Sequence, residues 1–281
     1  MEYFLPGAKG GPDKGDQTAW TPVRDADALI HVVRNFSGYG FDAPTLAEDF
    51  LAIEQDLILT DQVSVEKRLE RLVLEKKRGR SIHPEEPGLL EKCLEALERE
   101  QPLRRIPEIA LSPLLKGFAF LSAKPKLVLF NNEDEDDQSP ETATVFAAEE
   151  TMVIRAKLEQ ELGQMSEEEA DEFLAEFNVT ASAMDRVIKR SYALQGLISF
   201  FTVGEDEVRA WTIRAGTPAL DAADVIHSDI KKGFIRAEVV SYNDLMAAGS
   251  HAQARKQGTV RLEGKTYPVS DGDIINFRFN V

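Results

Sequence analysis

The sequence has 281 residues, of which 43% are hydrophobic and 29% charged, a composition typical of a soluble globular protein with room for two domains. Its 33 Lys and Arg against 49 Asp and Glu give a net charge of −16, so a phosphate backbone could be approached only through a local basic patch. The single cysteine, Cys93, excludes an internal disulfide framework and a zinc site built on cysteines.

The N-terminal part of the chain combines a predicted loop with one predicted strand. Residues Met1–Asp25 are rich in Gly, Pro and Lys and lack the apolar core of a signal peptide. No apolar run approaches the roughly 20 residues that span a bilayer, so we expect a cytoplasmic protein without membrane contact. Ala28–Phe36, ALIHVVRNF, predicts a buried strand. Its His31 is interpreted as a core histidine, because no second His or Cys lies nearby in the sequence.

Two charged helices are predicted next. Apolar residues recur at helical spacing from Thr45 to about Lys77, and again over Leu89–Glu100, where Cys93 falls on the apolar face. The stretch Pro84–Gly88 breaks the pattern between them. This arrangement predicts an antiparallel helical hairpin of coiled-coil type.

A second buried strand is predicted at Lys126–Phe130, KLVLF, and the acidic run Asn131–Glu141 follows it directly. This run is either a solvated loop or a ligand loop, since α/β proteins place their sites at the carboxyl ends of parallel strands. The remaining predicted elements of this region are strands at Thr144–Phe146 and Met152–Ile154 and helices at Ser166–Phe177 and Ala183–Leu194.

The last third of the chain has the pattern of a separate α+β domain. An Ala-rich helix is predicted at Ala219–His227, and His227 is interpreted as a residue that stabilises a turn. A short polar helix is predicted after residue 245. Gly and Asp turns separate four β-rich runs, which are Leu197–Val203, Val208–Ile213, Phe234–Val240 and Ile274–Phe279.

Taken in order, these segments resemble one family, the YchF-type P-loop GTPases/ATPases of the Obg group. ADALIHVVRNF resembles the strand after the family's second switch, and SVEKRLERL resembles the start of its helical insertion. EQPLRRIP and LSAKPKLVLFNN resemble the return into the G domain. LISFFTVGEDEVRAWTIRAGT, HSDIKKGFIRAEVVSYNDL and DGDIINFRFNV are similar to its C-terminal TGS domain, a ubiquitin-like β-grasp.

The resemblance implies an α/β protein in three parts. A remnant P-loop NTPase-like G domain would comprise residues 1–50 and 108–198, an inserted antiparallel helical hairpin residues 51–107, and an α+β TGS domain residues 199–281. Family members bind ATP or GTP and associate with ribosomes. The resemblance therefore implies GTP or ATP with Mg²⁺ as cofactors, and a ribosome or ribosome-associated RNA–protein surface as partner. A second copy of the chain is a further candidate partner.

The sequence departs from the family where phosphate chemistry takes place. The motif G-x-x-x-x-G-K-[ST], whose backbone N–H groups surround phosphates, does not occur in it. At the second switch the family has Asp-x-x-Gly, and this sequence has YFLPG, with Asp13 interpreted as a loop residue beyond it. The loop SGYGFDAPT also lacks the family's histidine. No catalytic residue and no metal ligand is therefore assigned.

The family's base-recognition region is retained in part. Asn131-Asn132-Glu133-Asp134 aligns with the family's Asn-x-x-Glu and also has the form of the Asn-x-x-Asp of ordinary GTPases. The later Ser-Ala loop corresponds to Arg155-Ala156-Lys157. The resemblance thus assigns nucleotide-base binding to Asn131, Glu133, Asp134 and Ala156.

Two functions stay open at this point. The first is a degenerate, non-hydrolytic binding module, with Lys231, Lys232 and Arg236 as candidate partner or RNA contacts and Arg255 and Lys256 beside them. The second is an active GTP/ATP hydrolase with an unrecognised phosphate site, for which the segment GAKGGPDKGD could form an anion-binding nest, or a truncated chain. An acid–base enzyme has little support, because the four histidines are scattered.

Overall fold

The computed structural model describes residues 2–5, 20–38, 40, 42–140, 144–166, 168–170, 182–204 and 206–280. The chain divides into two compact units, Met1–Ile188 and Lys189–Val281. Most of the predicted helix at Ser166–Phe177 lies outside the described residues, as do Asp13 and the glycine-rich segment GAKGGPDKGD. In the part of the chain that is described, no helix is long and apolar enough to cross a membrane.

A three-stranded parallel sheet forms the centre of the first unit. Its strands are β1 (Leu29–Asn35), β2 (Lys126–Asn132) and β3 (Glu150–Ile154), in the order β1-β2-β3. The strand positions are confirmed, except that Thr144–Phe146 forms one turn of 3₁₀ helix instead of a strand. The predicted burial of the first strand is wrong, because β1 lies at an edge of the described sheet, with Val33 buried and Val32 exposed. Phe146 is buried against Phe50 and Phe130 there, so its apolar character reflects core packing.

The predicted helical hairpin is confirmed as a pair of packed helices. The first, α1, spans Leu46–Lys77 and the second, α2, spans Glu86–Glu98. The second helix begins three residues earlier than expected, because Pro87 lies in its first turn, where a proline removes no helical hydrogen bond. Cys93 is fully buried between the two helices, as predicted, and burial raises the pKa of its thiol to about 12. Three shorter helices complete the described part of this unit: α3 (Pro107–Ala110), α4 (Ala156–Leu162) and α5 (Ala183–Leu194, which runs into the second unit).

A buried group of charges joins the hairpin to the sheet. Glu54 of α1 pairs with Lys126 at the start of β2 and with Arg104, which follows the hairpin. Arg104 also donates two hydrogen bonds to Glu149, immediately before β3, at 2.7 and 3.2 Å. Burial lowers the pKa of Lys126 to about 8. The two ends of the hairpin are therefore held at the amino ends of β2 and β3.

The second unit is a five-stranded mixed sheet. Its strands are β4 (Leu197–Val203), β5 (Val208–Arg214), β6 (Phe234–Ser241), β7 (Arg261–Glu263) and β8 (Asp273–Phe279), in the order β5-β4-β8-β6-β7. The described helices of this unit are α6 (Ala219–Ile226), α7 (Ser228–Lys232), α8 (Tyr242–Ala248) and α9 (His251–Gln257). The four predicted strands are confirmed, whereas β7 was not predicted and the polar helix is divided in two at Gly249.

The core of this unit lies between α6 and one face of the sheet. Ala219, Ala222 and Ala223 of α6 are fully buried with Phe200 of β4 and Ile275 of β8. Small residues on α6 let the helix approach the aromatic side chains of the strands closely. His227 caps α7, because its Nδ1 accepts a hydrogen bond from the backbone N–H of Asp229 at 3.2 Å, which confirms its predicted role in the turn.

Candidate functional site

The carboxyl ends of the three parallel strands bring polar side chains together, as an α/β sheet does at its ligand edge. Asn35 ends β1 and Asn132 ends β2, and the two residues are opposite each other in the sheet. The Asn35 amide donates to Asn132 Oδ1 at 2.9 Å. Asn132 Nδ2 in turn donates to the carbonyl oxygens of Asp136 and Gln138, at 3.2 and 2.8 Å. This buried amide therefore fixes the acidic loop that follows β2.

Asn131 connects the ends of β2 and β3. Its Oδ1 accepts a hydrogen bond from the backbone N–H of Ala156 at 3.0 Å. Ala156 is the first residue of α4, so this bond also satisfies one of the N–H groups that a helix leaves unpaired at its start. Because the side-chain oxygen is used, a ligand at this edge would meet the NH₂ group of Asn131, which is a hydrogen-bond donor.

The two acidic residues of the predicted base site are also held by hydrogen bonds. Glu133 Oε1 accepts from the backbone N–H of Ser37 at 2.9 Å. Asp134 Oδ2 lies 3.0 Å from Lys157 Nζ, and its backbone carbonyl accepts from Arg155 Nη1 at 3.1 Å. The structure thus brings the four predicted base-site residues to one edge of the sheet, where three loops meet.

Sequence reasoning assigned no role to the residues that position this edge. Ser37, Arg155 and Lys157 contact the predicted acids, and Asn35 contacts Asn132. The available signal was their position, since each lies at or just beyond the carboxyl end of β1 or β3. Which of these side chains face the β2 loop depends on the register of the strands, which the sequence does not state.

The predicted partner contacts of the second unit, two lysines and an arginine, have different surroundings. Lys231 Nζ lies 3.0 Å from both Asp221 and Asp224, and Lys232 Nζ lies 3.0 Å from Asp229. Arg236 is exposed on β6, on the side of the sheet that carries Glu238 and Arg278. Residues 189–281 contain 12 Lys and Arg against 11 Asp and Glu, so the acidic excess of the chain lies in the first unit.

These features define an α/β protein with a parallel-sheet unit, an inserted helical hairpin and a second unit built on a mixed sheet. The family model YchF-GTPase_C, described as "Protein of unknown function (DUF933)", matches residues 197–280. The chain is 39% identical to the "Ribosome-binding ATPase YchF" of Bacillus subtilis (strain 168), over 99% of this chain and 80% of that protein. It is 35% identical to the protein of the same name from Escherichia coli O157:H7, over 99% of this chain and 79% of that protein.

A solved structure shows the same relationship. The chain matches the Schizosaccharomyces pombe YchF GTPase with a TM-score of 0.80 and 30% identity, over 98% of this chain and 78% of that one. The chain belongs to the YchF family. Its two units correspond to the G domain and the C-terminal domain of these relatives.

Proposed function

We propose that this chain is a ribosome-associated, nucleotide-binding member of the YchF family that acts by binding, and that residues 1–281 do not hydrolyse the nucleotide themselves. The observation that carries the proposal is the 3.0 Å hydrogen bond between Asn131 Oδ1 and the N–H of Ala156. It links the two loops of the predicted base site to each other. Relatives named ribosome-binding ATPases support the partner and the nucleotide.

The base would be recognised at the edge formed by Asn131, Glu133, Asp134 and Ala156. The NH₂ group of Asn131 can donate to a ring nitrogen of a purine, and the carboxylate of Asp134 can accept N–H groups of guanine. Lys157, which pairs with Asp134, would have to share that carboxylate with the base. GTP or ATP with Mg²⁺ is the cofactor that this assignment implies.

Base contacts alone provide few of the interactions that hold a nucleoside triphosphate. Most of its charge lies on the phosphates, which bind through charge-assisted hydrogen bonds and a metal ion. No P-loop motif occurs in residues 1–281. We therefore expect weak binding and no turnover by this polypeptide.

Calorimetric titration of the purified chain with GTP and with ATP, with and without Mg²⁺, tests the assignment. We expect binding weaker than about 10 μM, which corresponds to roughly 7 kcal/mol. Asn131→Ala should weaken it further, by about tenfold, because one hydrogen bond to the base and the link to Ala156 are lost. Asn243→Ala, at an exposed asparagine of the second unit, is the matched control and should leave binding unchanged.

The second candidate function is an active hydrolase, which the word ATPase in the names of the relatives favours. Magnesium-dependent release of phosphate above the buffer background would establish this alternative and overturn the non-hydrolytic proposal. An Asn131→Ala variant with unchanged affinity would instead show that the nucleotide binds at another place.

We assign binding of the ribosomal partner to the second unit, and propose that residues 199–281 form a TGS domain of β-grasp type in a cytoplasmic protein. The mixed sheet with α6 packed on one face supports this assignment. Co-sedimentation of the purified chain with ribosomes tests the partner, and failure to co-sediment at low salt contradicts it. Sedimentation velocity of the chain alone tests the other candidate partner, a second copy.

A further inference from the structure

The strand β1 forms an edge of the parallel sheet, and its outer side carries backbone hydrogen-bonding groups. Among the described strands, β1 pairs only with β2. The backbone N–H of Leu29 donates to the carbonyl oxygen of Pro125, on the β2 side, at 2.8 Å. Because successive N–H and C=O groups of a strand point to opposite sides, those of Ile30 and Val32 point away from β2. A further strand could therefore be bonded to β1 at these two residues.

The side chains along the outer side of β1 are mostly apolar. Val32 is 55% exposed, more than any other apolar residue of β1, β2 and β3. Ile30 lies two residues away on the same face and is half-buried. Arg34 is the one charged residue of the strand, and it directs its guanidinium to the carbonyl oxygens of Phe36 and Asp42, at 2.8 and 2.9 Å. The middle of the strand is thus apolar and accessible.

The other edge strands of the described sheets carry more charge. Natural proteins place charges, prolines or bulges on edge strands, because an exposed edge otherwise pairs with another chain. The charged residues of these strands are Glu150 of β3, Arg209 and Arg214 of β5, and Arg261 and Glu263 of β7. The middle of β1 has neither a charge nor a proline. It is therefore the described edge best suited to pairing.

We propose that β1 pairs with β1 of a second copy of this chain, in antiparallel orientation, around a two-fold axis beside His31. In this register, Ile30 of each copy is opposite Val32 of the other, and the outward N–H and C=O groups of both residues are bonded. Each exposed valine is covered by an isoleucine, and such β-branched pairs stabilise neighbouring strands. The two sheets become one sheet of six described strands, and the two-fold symmetry closes the assembly as a dimer.

The charges of the strand are compatible with pairing to itself. Arg34 is opposite Ala28 of the second copy, so the two Arg34 residues are six positions apart, or about 20 Å. This distance exceeds the screening length of about 8 Å at 0.15 M salt, and their repulsion is small. The two His31 residues meet beside the axis and are neutral at pH 7, because burial lowers the pKa of this ring to about 4.

The size of the interface and the charge of the first unit make the dimer weak. One strand pair buries less than the roughly 1,200 Å² below which complexes are typically transient. Residues 1–188 carry 21 Lys and Arg against 38 Asp and Glu, so the two first units repel each other. We expect a dissociation constant on the order of 100 μM, which falls as added salt screens this repulsion.

Sedimentation velocity of the full chain between about 5 and about 500 μM, a range that brackets this constant, tests the pairing. The sedimentation coefficient should rise with concentration from that of a monomer to that of a dimer and no further. Val32→Pro removes an outward N–H without removing a bond to β2, a change that edge strands tolerate. It should weaken association at least about tenfold, because two hydrogen bonds across the axis are lost.

Lysine substitutions distinguish β1 from another exposed edge. Val32→Lys should weaken association at least about tenfold, because it replaces the apolar contact and brings two like charges close to the axis. The matched control is Val208→Lys, at a valine of the edge strand β5 that is 69% exposed. This control should leave association unchanged. Asn131→Ala should also leave it unchanged, since the pairing does not depend on nucleotide binding.

A pair of opposite charges tests the register. Ile30→Lys and Val32→Glu should each weaken association, whereas the double variant should restore it, because the introduced lysine of one copy lies opposite the introduced glutamate of the other. Circular dichroism and the urea midpoint of each variant show whether the first unit is still folded. Val32→Pro needs no restoring partner, so it tests the edge even where the double variant fails to fold.

Four outcomes overturn the proposal. A chain that stays monomeric up to about 500 μM has no such dimer. Growth beyond the dimer contradicts the closed two-fold arrangement. Equal losses for Val32→Lys and Val208→Lys would mean a non-specific association. A folded double variant that does not associate would refute the pairing of Ile30 with Val32, and none of these results would affect the proposed nucleotide or ribosome binding.

Discussion

His31 shows how one side chain of β1 makes stability depend on pH. Its ring stacks on Phe50 with the centroids 5.3 Å apart, and among the described residues its buried Nδ1 has no hydrogen-bond partner. Burial, and to a smaller extent the charges of Lys126 and Arg104, lower its pKa to about 4 against the opposing effect of Asp49 and Glu149. The neutral imidazole is therefore the form that packs in the folded protein.

This arrangement predicts a loss of stability on acidification. The folded-state pKa is below the unfolded value near 6.5, so the unfolded chain binds more protons between those two values. The contribution of His31 is fully present above pH 6.5 and declines as the pH falls towards 4. When the pH is lowered from about 7 to about 5, the free energy of unfolding should fall by about 2 kcal/mol more in the wild type than in His31→Gln. Urea unfolding at the two pH values measures this difference.

The exposed His83 supplies the control for that measurement. His83→Gln should retain the wild-type dependence on pH, because its ring is not buried. If His31→Gln and the wild type lose the same stability between the two pH values, the neutral packing of His31 is not the cause of the pH dependence.

The sequence predicted which residues belong to the candidate base site, but it did not predict their contacts. Asn131 and Asp134 were identified by the motif, and both lie at the carboxyl ends of the parallel strands. The bonds from Ser37 to Glu133 and from Lys157 to Asp134 join positions 96 and 23 residues apart in sequence. Such contacts arise from the parallel register of the sheet, so no local pattern contains them.

At the scale of elements, the hairpin depends on a few buried charges where it joins the sheet. Arg104, with 9% of its side chain exposed, connects Glu54 of α1 to Glu149 before β3. Removing one partner from a buried group of charges leaves the others desolvated and unpaired, which costs more than the pairing itself contributes. Arg105 also contacts Glu149, at 3.0 Å, and limits that cost.

Arg104→Met should therefore destabilise the first unit by about 3 kcal/mol, since methionine fills space but leaves Glu54 and Glu149 poorly paired. The matched control is Lys92→Met, which breaks the 2.6 Å pair with Glu108, whose side chains are 56% and 60% exposed. That change should cost less than about 1 kcal/mol. Urea unfolding followed by the fluorescence of Trp20, in a Trp211→Phe background, measures both. Equal costs would show that the group around Arg104 does not hold the hairpin.

Long elements were predictable because their patterns repeat. The periodicity of α1 continues over 32 residues, and the strands of both sheets have apolar runs bounded by turns. Short elements were not. The three residues of β7 contain no repeat, and the end of α8 depends on the positive φ of Gly249, which closes the helix and lets a second one begin. Thr144–Phe146 looked like a strand because β-branched and aromatic residues suit both a strand and a core turn.

At the scale of the whole molecule, the two units differ in charge and in core. The first has its apolar clusters around the hairpin and the parallel sheet, and the second has its own core around Phe200 and α6. The net charge of −16 belongs to residues 1–188, which carry 21 Lys and Arg against 38 Asp and Glu, since residues 189–281 are close to neutral. An acidic partner could therefore approach the second unit with little repulsion from that unit itself.

This distribution predicts that salt stabilises the two units unequally. Like charges repel in the folded first unit, and raising the salt from about 0.01 M to about 0.15 M shortens the screening length from about 30 Å to about 8 Å. The urea midpoint of the first unit should rise, while that of the second should change little. The chain has two tryptophans, Trp20 in the first unit and Trp211 in the second, so Trp211→Phe and Trp20→Phe each report on one unit. Sodium chloride titrations of both variants give the comparison, and equal shifts of the two midpoints would contradict the assignment of the repulsion to the first unit.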